Sequence, residues 1–184
     1  DVGVNPTRTG LLDVLERMGA AVRREGLHLE AGEPVADLVV EGRRLRGVRI
    51  GADLIPRLID EVPALAVAAA LADGETVIGG AAELRVKEVD RVSAVAEELG
   101  RMGAAISPTE DGLRIRGNAR LRGAVVSSRG DHRMAMSLAV AALFADGETV
   151  IQDVACVNTS FPGFARVLAE AAPACAVREE TSDA

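Results

Sequence analysis

Aromatic side chains are nearly absent from this sequence of 184 residues, which has no Trp, no Tyr and only three Phe. Without aromatic platforms, base stacking is a poor expectation, and the core has to be built from Ala, Val, Leu and Ile. Lysine is rarer still, because Lys87 is the only one and the other basic residues are all Arg. Acids outnumber bases 28 to 21, and the net charge of −7 argues against a partner with a phosphate backbone. Two cysteines, Cys156 and Cys175, are too few for a disulfide framework, so a reduced cytoplasmic protein is expected. No apolar run approaches the ~20 residues that span a bilayer, and no charged-then-apolar secretion signal opens the chain. A start at Asp1 instead of Met suits a processed product or a piece of something longer. There is no Walker loop, nucleophile elbow or Cys-x-x-Cys. His132 has no second His or Cys at ligand spacing, so no metal is expected. With 48% apolar residues, the chain can still bury a proper core.

What is present is a repeat. Ala66–Ile78 reads AVAAALADGETVI and Ala139–Ile151 reads AVAALFADGETVI, an offset of 73 with two mismatches in thirteen. LERMGAAV at Leu15–Val22 returns as LGRMGAAI at Leu99–Ile106, an offset of 84. The difference of 11 implies an insertion in the first copy, placed around Ala31–Ile50. Apolar spacing predicts amphipathic helices over Thr9–Ala20 and Val89–Met102, and a last helix over Pro162–Ala171. It predicts buried, almost wholly apolar helices over Val62–Ala72 and His132–Ala145. Strands are expected within Ala21–Glu30 and Val35–Ile50, and at Glu75–Ile78, Ala105–Ser107, Leu113–Arg116, Ala124–Ser127 and Glu148–Gln152. The fold class is therefore α/β, with a pattern of helix, two strands, helix and strand used twice and helices buried among sheets. Pro173–Ala184 reads as a frayed polar tail.

The repeat also sorts the charges. The offset of 73 superposes Asp60 on Arg133, each at the start of a buried helix. An Asp there is most simply a cap, and this applies to Asp60 and Asp131 alike. A guanidinium there is harder to explain, because helix N-termini are electropositive and attract anions. The segment Arg85–Arg91 carries charges at five of its seven positions. Glu88 and Asp90 suit a helix start, and Arg91 lies on one helical face with Lys87 and Glu88. Arg91 and Arg133 are expected to meet at one anion site, each partly open to solvent and neither consumed by a structural carboxylate. The rival is that Arg91 simply pairs with Glu88 on its own helix. Together these residues suit an anionic, phosphorylated substrate with proton transfers beside it.

Ile55-Pro56-Arg57-Leu58-Ile59-Asp60-Glu61, Leu84-Arg85-Val86-Lys87-Glu88-Val89-Asp90-Arg91 and Asp131-His132-Arg133-Met134-Ala135-Met136 closely resemble three motifs of the 3-phosphoshikimate 1-carboxyvinyltransferases, or EPSP synthases. Asn5-Pro6-Thr7-Arg8-Thr9-Gly10 and Ser160-Phe161-Pro162-Gly163-Phe164 match as well and in the right order, so the likeness runs from Asp1 to about Ala172. UDP-N-acetylglucosamine carboxyvinyltransferases share the fold but not the pair of motifs at Arg85–Arg91 and Asp131–Met136. The resemblance implies repeated βαβαββ-type units, three to a domain. This chain would hold two of them, roughly 1–83 and 84–172, as part of the C-terminal domain, with the N-terminal domain missing. It implies transfer of the enolpyruvyl group of phosphoenolpyruvate to the 5-hydroxyl of shikimate 3-phosphate, in aromatic amino-acid biosynthesis, with no metal or organic cofactor. By the same resemblance, Asp60 contacts the shikimate hydroxyls and accepts a proton. Glu88 exchanges a proton with the substrate methylene, Lys87 lies on the shikimate side near the reacting centre, and Arg91 and Arg133 bind phosphoenolpyruvate. Two positions depart from part of the family: Thr159 replaces a Lys, and Glu83 replaces an Asn.

The competing readings are a non-catalytic α/β module for an anionic metabolite or a partner subunit, and the nucleotide-sugar sister transferase. The joint presence of Asp60, Lys87, Glu88, Arg91 and Arg133 favours the enzyme, with the isolated chain inactive. No nucleic acid or membrane partner is expected.

Overall fold

The structure is a computed structural model and describes residues 1–180. Strand β1 (Val2–Gly3) precedes helix α1 (Gly10–Arg17), the hairpin β2 (Ala21–Glu30) and β3 (Glu33–Glu41), and the short strand β4 (Arg49–Ile50). Two 3-10 turns, Ile55–Arg57 and Ile59–Glu61, lead into α2 (Val62–Leu71) and β5 (Glu75–Ile78). A 3-10 segment, Ala82–Val86, opens the second copy. It is followed by α3 (Arg91–Arg101), the hairpin β6 (Ala105–Pro108) and β7 (Leu113–Arg116), β8 (Val125–Ser127), α4 (His132–Ala142) and β9 (Val150–Gln152). The chain then forms α5 (Val157–Ser160) and α6 (Phe164–Ala171). Residues 172–180 carry no helix or strand, and 181–184 of the expected tail lie outside the described residues.

The repeat is visible in the backbone. Arg46 bridges Asp73, and Arg122 bridges Asp146, in parallel pairs. Arg46 N–H donates to the Met18 carbonyl, as Arg122 N–H does to that of Met102. Strands β4 and β5 pair in parallel around α2, and β8 and β9 do so around α4. These matches reveal a third echo, Leu45-Arg46-Gly47 against Leu121-Arg122-Gly123, at an offset of 76. The insertion therefore divides. Most of it lengthens the β2–β3 hairpin, and the remainder lies between β4 and Leu58, beyond the end of the expected Ala31–Ile50 window. The expected strand region Val35–Ile50 splits into β3 and β4 because residues 42–48 leave the sheet.

A Cβ on Gly123 would sit 2.1 Å from the Glu148 carbonyl oxygen, and one on Gly47 would sit 2.2 Å from that of Glu75. Close backbone approach at this bridge is thus built into both copies. Gly123→Ala is expected to lower stability by about 1–3 kcal/mol through overpacking. An unchanged urea midpoint would show that the strands re-space freely.

The copies interlock. The central sheet runs β4-β5-β7-β6 and joins the parallel pair of the first copy to the hairpin of the second. The β2–β3 hairpin likewise lies beside β1. Helices α2 and α4 pack together inside, and their small side chains Ala66, Ala69, Ala70 and Ala141 are buried in the core. Beyond β9 the pattern stops. Its outer edge has no strand among the described residues, whereas the equivalent strand β5 pairs with β7. Val125, Phe144 and Val150 are exposed at this end. No helix among the described residues is long and apolar enough to cross a membrane.

Candidate active site

Three helix beginnings meet at one place. Asp90 caps α3 by accepting from Ser93 N–H at 3.1 Å, and it also receives Arg85 at 2.9 Å. Arg85 is further tied to the carbonyls of Thr109 and Glu110. Asp131 caps α4 by accepting from the N–H groups of Arg133 and Met134 at 2.8 and 3.2 Å. Helix α2 has no side-chain cap of its own, and the 3-10 turn carrying Asp60 runs directly into it.

Burial pushes the Asp90 carboxyl up, but the Ser93 hydrogen bonds and the Arg85 guanidinium outweigh it, so the group titrates below its ordinary range. A folded-state pKa below the unfolded one adds stability that is present above the unfolded value and lost as pH falls through the folded one. Asp90→Ala is therefore expected to cost about 1 kcal/mol near neutrality, the usual magnitude for a lost cap. The gap to the parent should narrow below about pH 4. Urea melts at pH 7 and pH 3 with the same gap would count against this assignment.

Arg91 occupies the centre of the cluster. It is only 1% exposed and is the largest of the fully buried side chains. Its Nε donates to Asp131 Oδ2 at 2.7 Å, Nη1 to Asp60 Oδ1 at 3.2 Å and Nη2 to Glu88 Oε2 at 2.6 Å. Arg133 stands on the other side of Asp60, with Nη2 3.5 Å from Oδ2 and Nη1 donating to the Asp60 carbonyl at 3.3 Å. The two residues superposed by the repeat thus face each other. Arg133 also reaches Glu61 at 3.4 Å. Lys87 Nζ lies 3.9 Å from Asp60 Oδ1 and donates to Glu83 at 3.2 Å. The Asp60 side chain is 26% exposed and that of Glu88 51%, so both acids reach the surface while their shared guanidinium does not.

All five sequence-predicted residues, Asp60, Lys87, Glu88, Arg91 and Arg133, come together. One expectation is corrected. Arg91 is not partly open to solvent, and each of its three nitrogens already donates to a carboxylate, those of Asp131, Asp60 and Glu88. Its pairing with Glu88, the rival reading, is present but is one contact of three. Asp131 was legible only as a cap. Glu83 sits beside Lys87, and Thr159 is exposed in α5 and takes no part in the contacts described. Among the described residues no group of three or more His, Cys, Asp or Glu is placed to hold a metal ion.

Chemically, the cluster offers two solvent-reaching carboxylates held against cations at adjoining helix starts. Fold and site together define a class, an interlocked α/β repeat whose helix N-termini gather acids and cations at one place. The profile of one family, described as EPSP synthase (3-phosphoshikimate 1-carboxyvinyltransferase), matches residues 1–168, and the chain belongs to that family. A curated 3-phosphoshikimate 1-carboxyvinyltransferase of Desulforudis audaxviator (strain MP104C) is 58% identical over 168 residues, covering 91% of this chain and 39% of that protein. One of Synechococcus sp. (strain JA-3-3Ab) is 57% identical over 164 residues, covering 89% and 37%. A solved EPSP synthase from Acinetobacter baumannii superposes with a TM-score of 0.88 at 44% identity, over 93% of this chain and 40% of that one. The enolpyruvyl transferase NikO from Streptomyces tendae gives 0.67 at 25% identity, over 88% and 34%. The chain spans about two fifths of the length of the curated relatives it matches.

Proposed function

We propose that the polypeptide containing this chain transfers the enolpyruvyl group of phosphoenolpyruvate to the 5-hydroxyl of shikimate 3-phosphate and releases phosphate. The carrying observation is the convergence of Asp60, Lys87, Glu88, Arg91 and Arg133 from three distant segments, in a chain of this family. In the addition step the hydroxyl oxygen bonds to C2 of phosphoenolpyruvate, Asp60 takes the hydroxyl proton and Glu88 gives a proton to the methylene carbon. In the elimination step Glu88 takes a proton back from the new methyl group, the double bond re-forms, and phosphate departs with the proton held by Asp60. Lys87 and Arg133 supply positive charge where substrate phosphate and carboxylate would lie, and such charge–charge contacts carry much of the transition-state stabilisation in reactions of this kind.

The rest of the polypeptide is assigned two tasks in this reading. It forms the second wall of the substrate cleft, and it lays a hairpin on the open edge of β9 as β7 lies on β5. This would cover Val125, Phe144 and Val150. The roughly 1–83 and 84–172 units are then two of three in one domain. A cytoplasmic setting belongs to the same reading, and both Cys156 and Cys175 are free thiols.

The test is phosphate release by the complete polypeptide with phosphoenolpyruvate and either shikimate 3-phosphate or UDP-N-acetylglucosamine. Turnover is expected with the first acceptor alone. Turnover only with the second would assign the chain to the sister transferase, and none with either, in a folded protein, would favour a binding module.

A further inference from the structure

Asp131 is fully buried, and its two oxygens do different work. Oδ1 accepts the two backbone N–H groups at the start of α4. Capping needs no more than that. Oδ2 accepts from Arg91 Nε at 2.7 Å, 40 residues away in sequence.

The internal repeat shows that the fold does not require this pair. At the offset of 73, the counterpart of Asp131 is Leu58, also fully buried, and α2 forms without a side-chain cap. At the offset of 84, the counterpart of Arg91 is Thr7, which is exposed. At these two positions, therefore, one copy has a buried leucine and an exposed threonine where the other has a buried ion pair, and the start of α1 is tied to the turn before α2 by the partly exposed Arg57 instead, through the Pro6 carbonyl, Thr9 and Asp13. Buried pairs seldom stabilise more than well-packed apolar groups of similar size, because both charges lose their hydration. Stability alone is then a poor reason for Asp131 and Arg91.

Geometry supplies a better one. A guanidinium is a planar fork whose donors keep fixed directions. With Nε held by Asp131, rotation of the plane is fixed, and so are the directions in which Nη1 meets Asp60 and Nη2 meets Glu88. The other Asp131 oxygen fixes the backbone of Arg133. We propose that Asp131 is a positioning residue for the site: by orienting Arg91 it sets the relative placement of the Asp60 and Glu88 carboxylates, and by capping α4 it sets that of Arg133. Its kinetic consequence rests on the function proposed above.

Asp131→Asn in the complete polypeptide separates capping from positioning. The amide oxygen still accepts the two backbone N–H groups, while the amide nitrogen cannot accept from Arg91 Nε. Expected are a protein that still folds, with a lowered melting temperature because Arg91 loses a buried counter-charge, and a kcat per folded enzyme lower by about 10–100-fold, with a smaller change in KM, as displaced catalytic geometry gives. Asp131→Ser, also a good cap without a carboxylate, predicts the same split and replaces the Asn variant if that one does not fold. Parental kcat in either folded variant, or activity lost only in proportion to folded protein, overturns the proposal. The Arg91 Nε–H resonance gives a readout independent of turnover. It should exchange slowly with solvent in the parent and at least tenfold faster in Asp131→Asn. Unchanged exchange overturns the positioning role, whereas faster exchange in a protein that never turns over these substrates would overturn the proposed reaction and leave the positioning role standing.

Discussion

Asp60→Asn and Glu88→Gln, made separately in the complete polypeptide, should each lower kcat by about 10²–10⁴-fold, the usual worth of a positioned acid or base. Each change keeps the shape of the side chain and removes its capacity to exchange a proton at the required step. The surroundings of the two differ, and so should the secondary effects. Glu88 is half-exposed and bound to one cation, so Glu88→Gln should leave the melting temperature almost unchanged. Asp60 has Arg91, Arg133 and Lys87 all within 4 Å, at 3.2, 3.5 and 3.9 Å. Its loss leaves three cations with one counter-charge fewer, and a modest fall in stability is expected beside the kinetic effect. Measuring kcat and thermal melting together separates the two. A near-parental rate for Asp60→Asn would reduce that residue to a counter-ion for the cluster.

The 184-residue chain by itself should not turn over shikimate 3-phosphate and phosphoenolpyruvate above background. Holding two reactants in register supplies roughly 7–11 kcal/mol of a barrier in favourable cases, and that requires a closed cleft. This chain matches about 39% of the length of its relatives, and in the proposed reading the facing wall lies in the remainder. The isolated chain should also self-associate, because the edge of β9 has no partner strand among the described residues and Val125, Phe144 and Val150 are exposed beside it. Light scattering would register that association, and its suppression when the remaining polypeptide is added in trans would identify the surface. Phosphate release by the purified chain alone, at rates typical of an enzyme, would overturn the two-walled picture.

Much of this organisation was legible in the residues. The doubled DGETVI, the two Met-Gly-Ala-Ala segments and the apolar spacing located α1 to α4, β5 and β7 closely, because periodicity reports how each segment divides its own faces between core and water. The repeated Leu-Arg-Gly is present in the sequence too, but three residues at a shifted offset carry little weight until a shared backbone bridge joins them. Asp60, Lys87, Glu88, Arg91 and Arg133 stood out as charges at helix starts, and their motifs carried the family. Which copy pairs with which was not legible: β5 takes β7 from the other copy, and nothing in ETVI states its partner. The state of Arg91 was hidden for the same reason. At the first position of an amphipathic helix it reads as an open cation, and it is buried only because Asp131, 40 residues later, and the turn at Asp60, 31 residues earlier, fold onto it. A local pattern encodes which face of a segment avoids water. The charge that meets that face is decided by packing between segments, and only the tertiary structure brings those together.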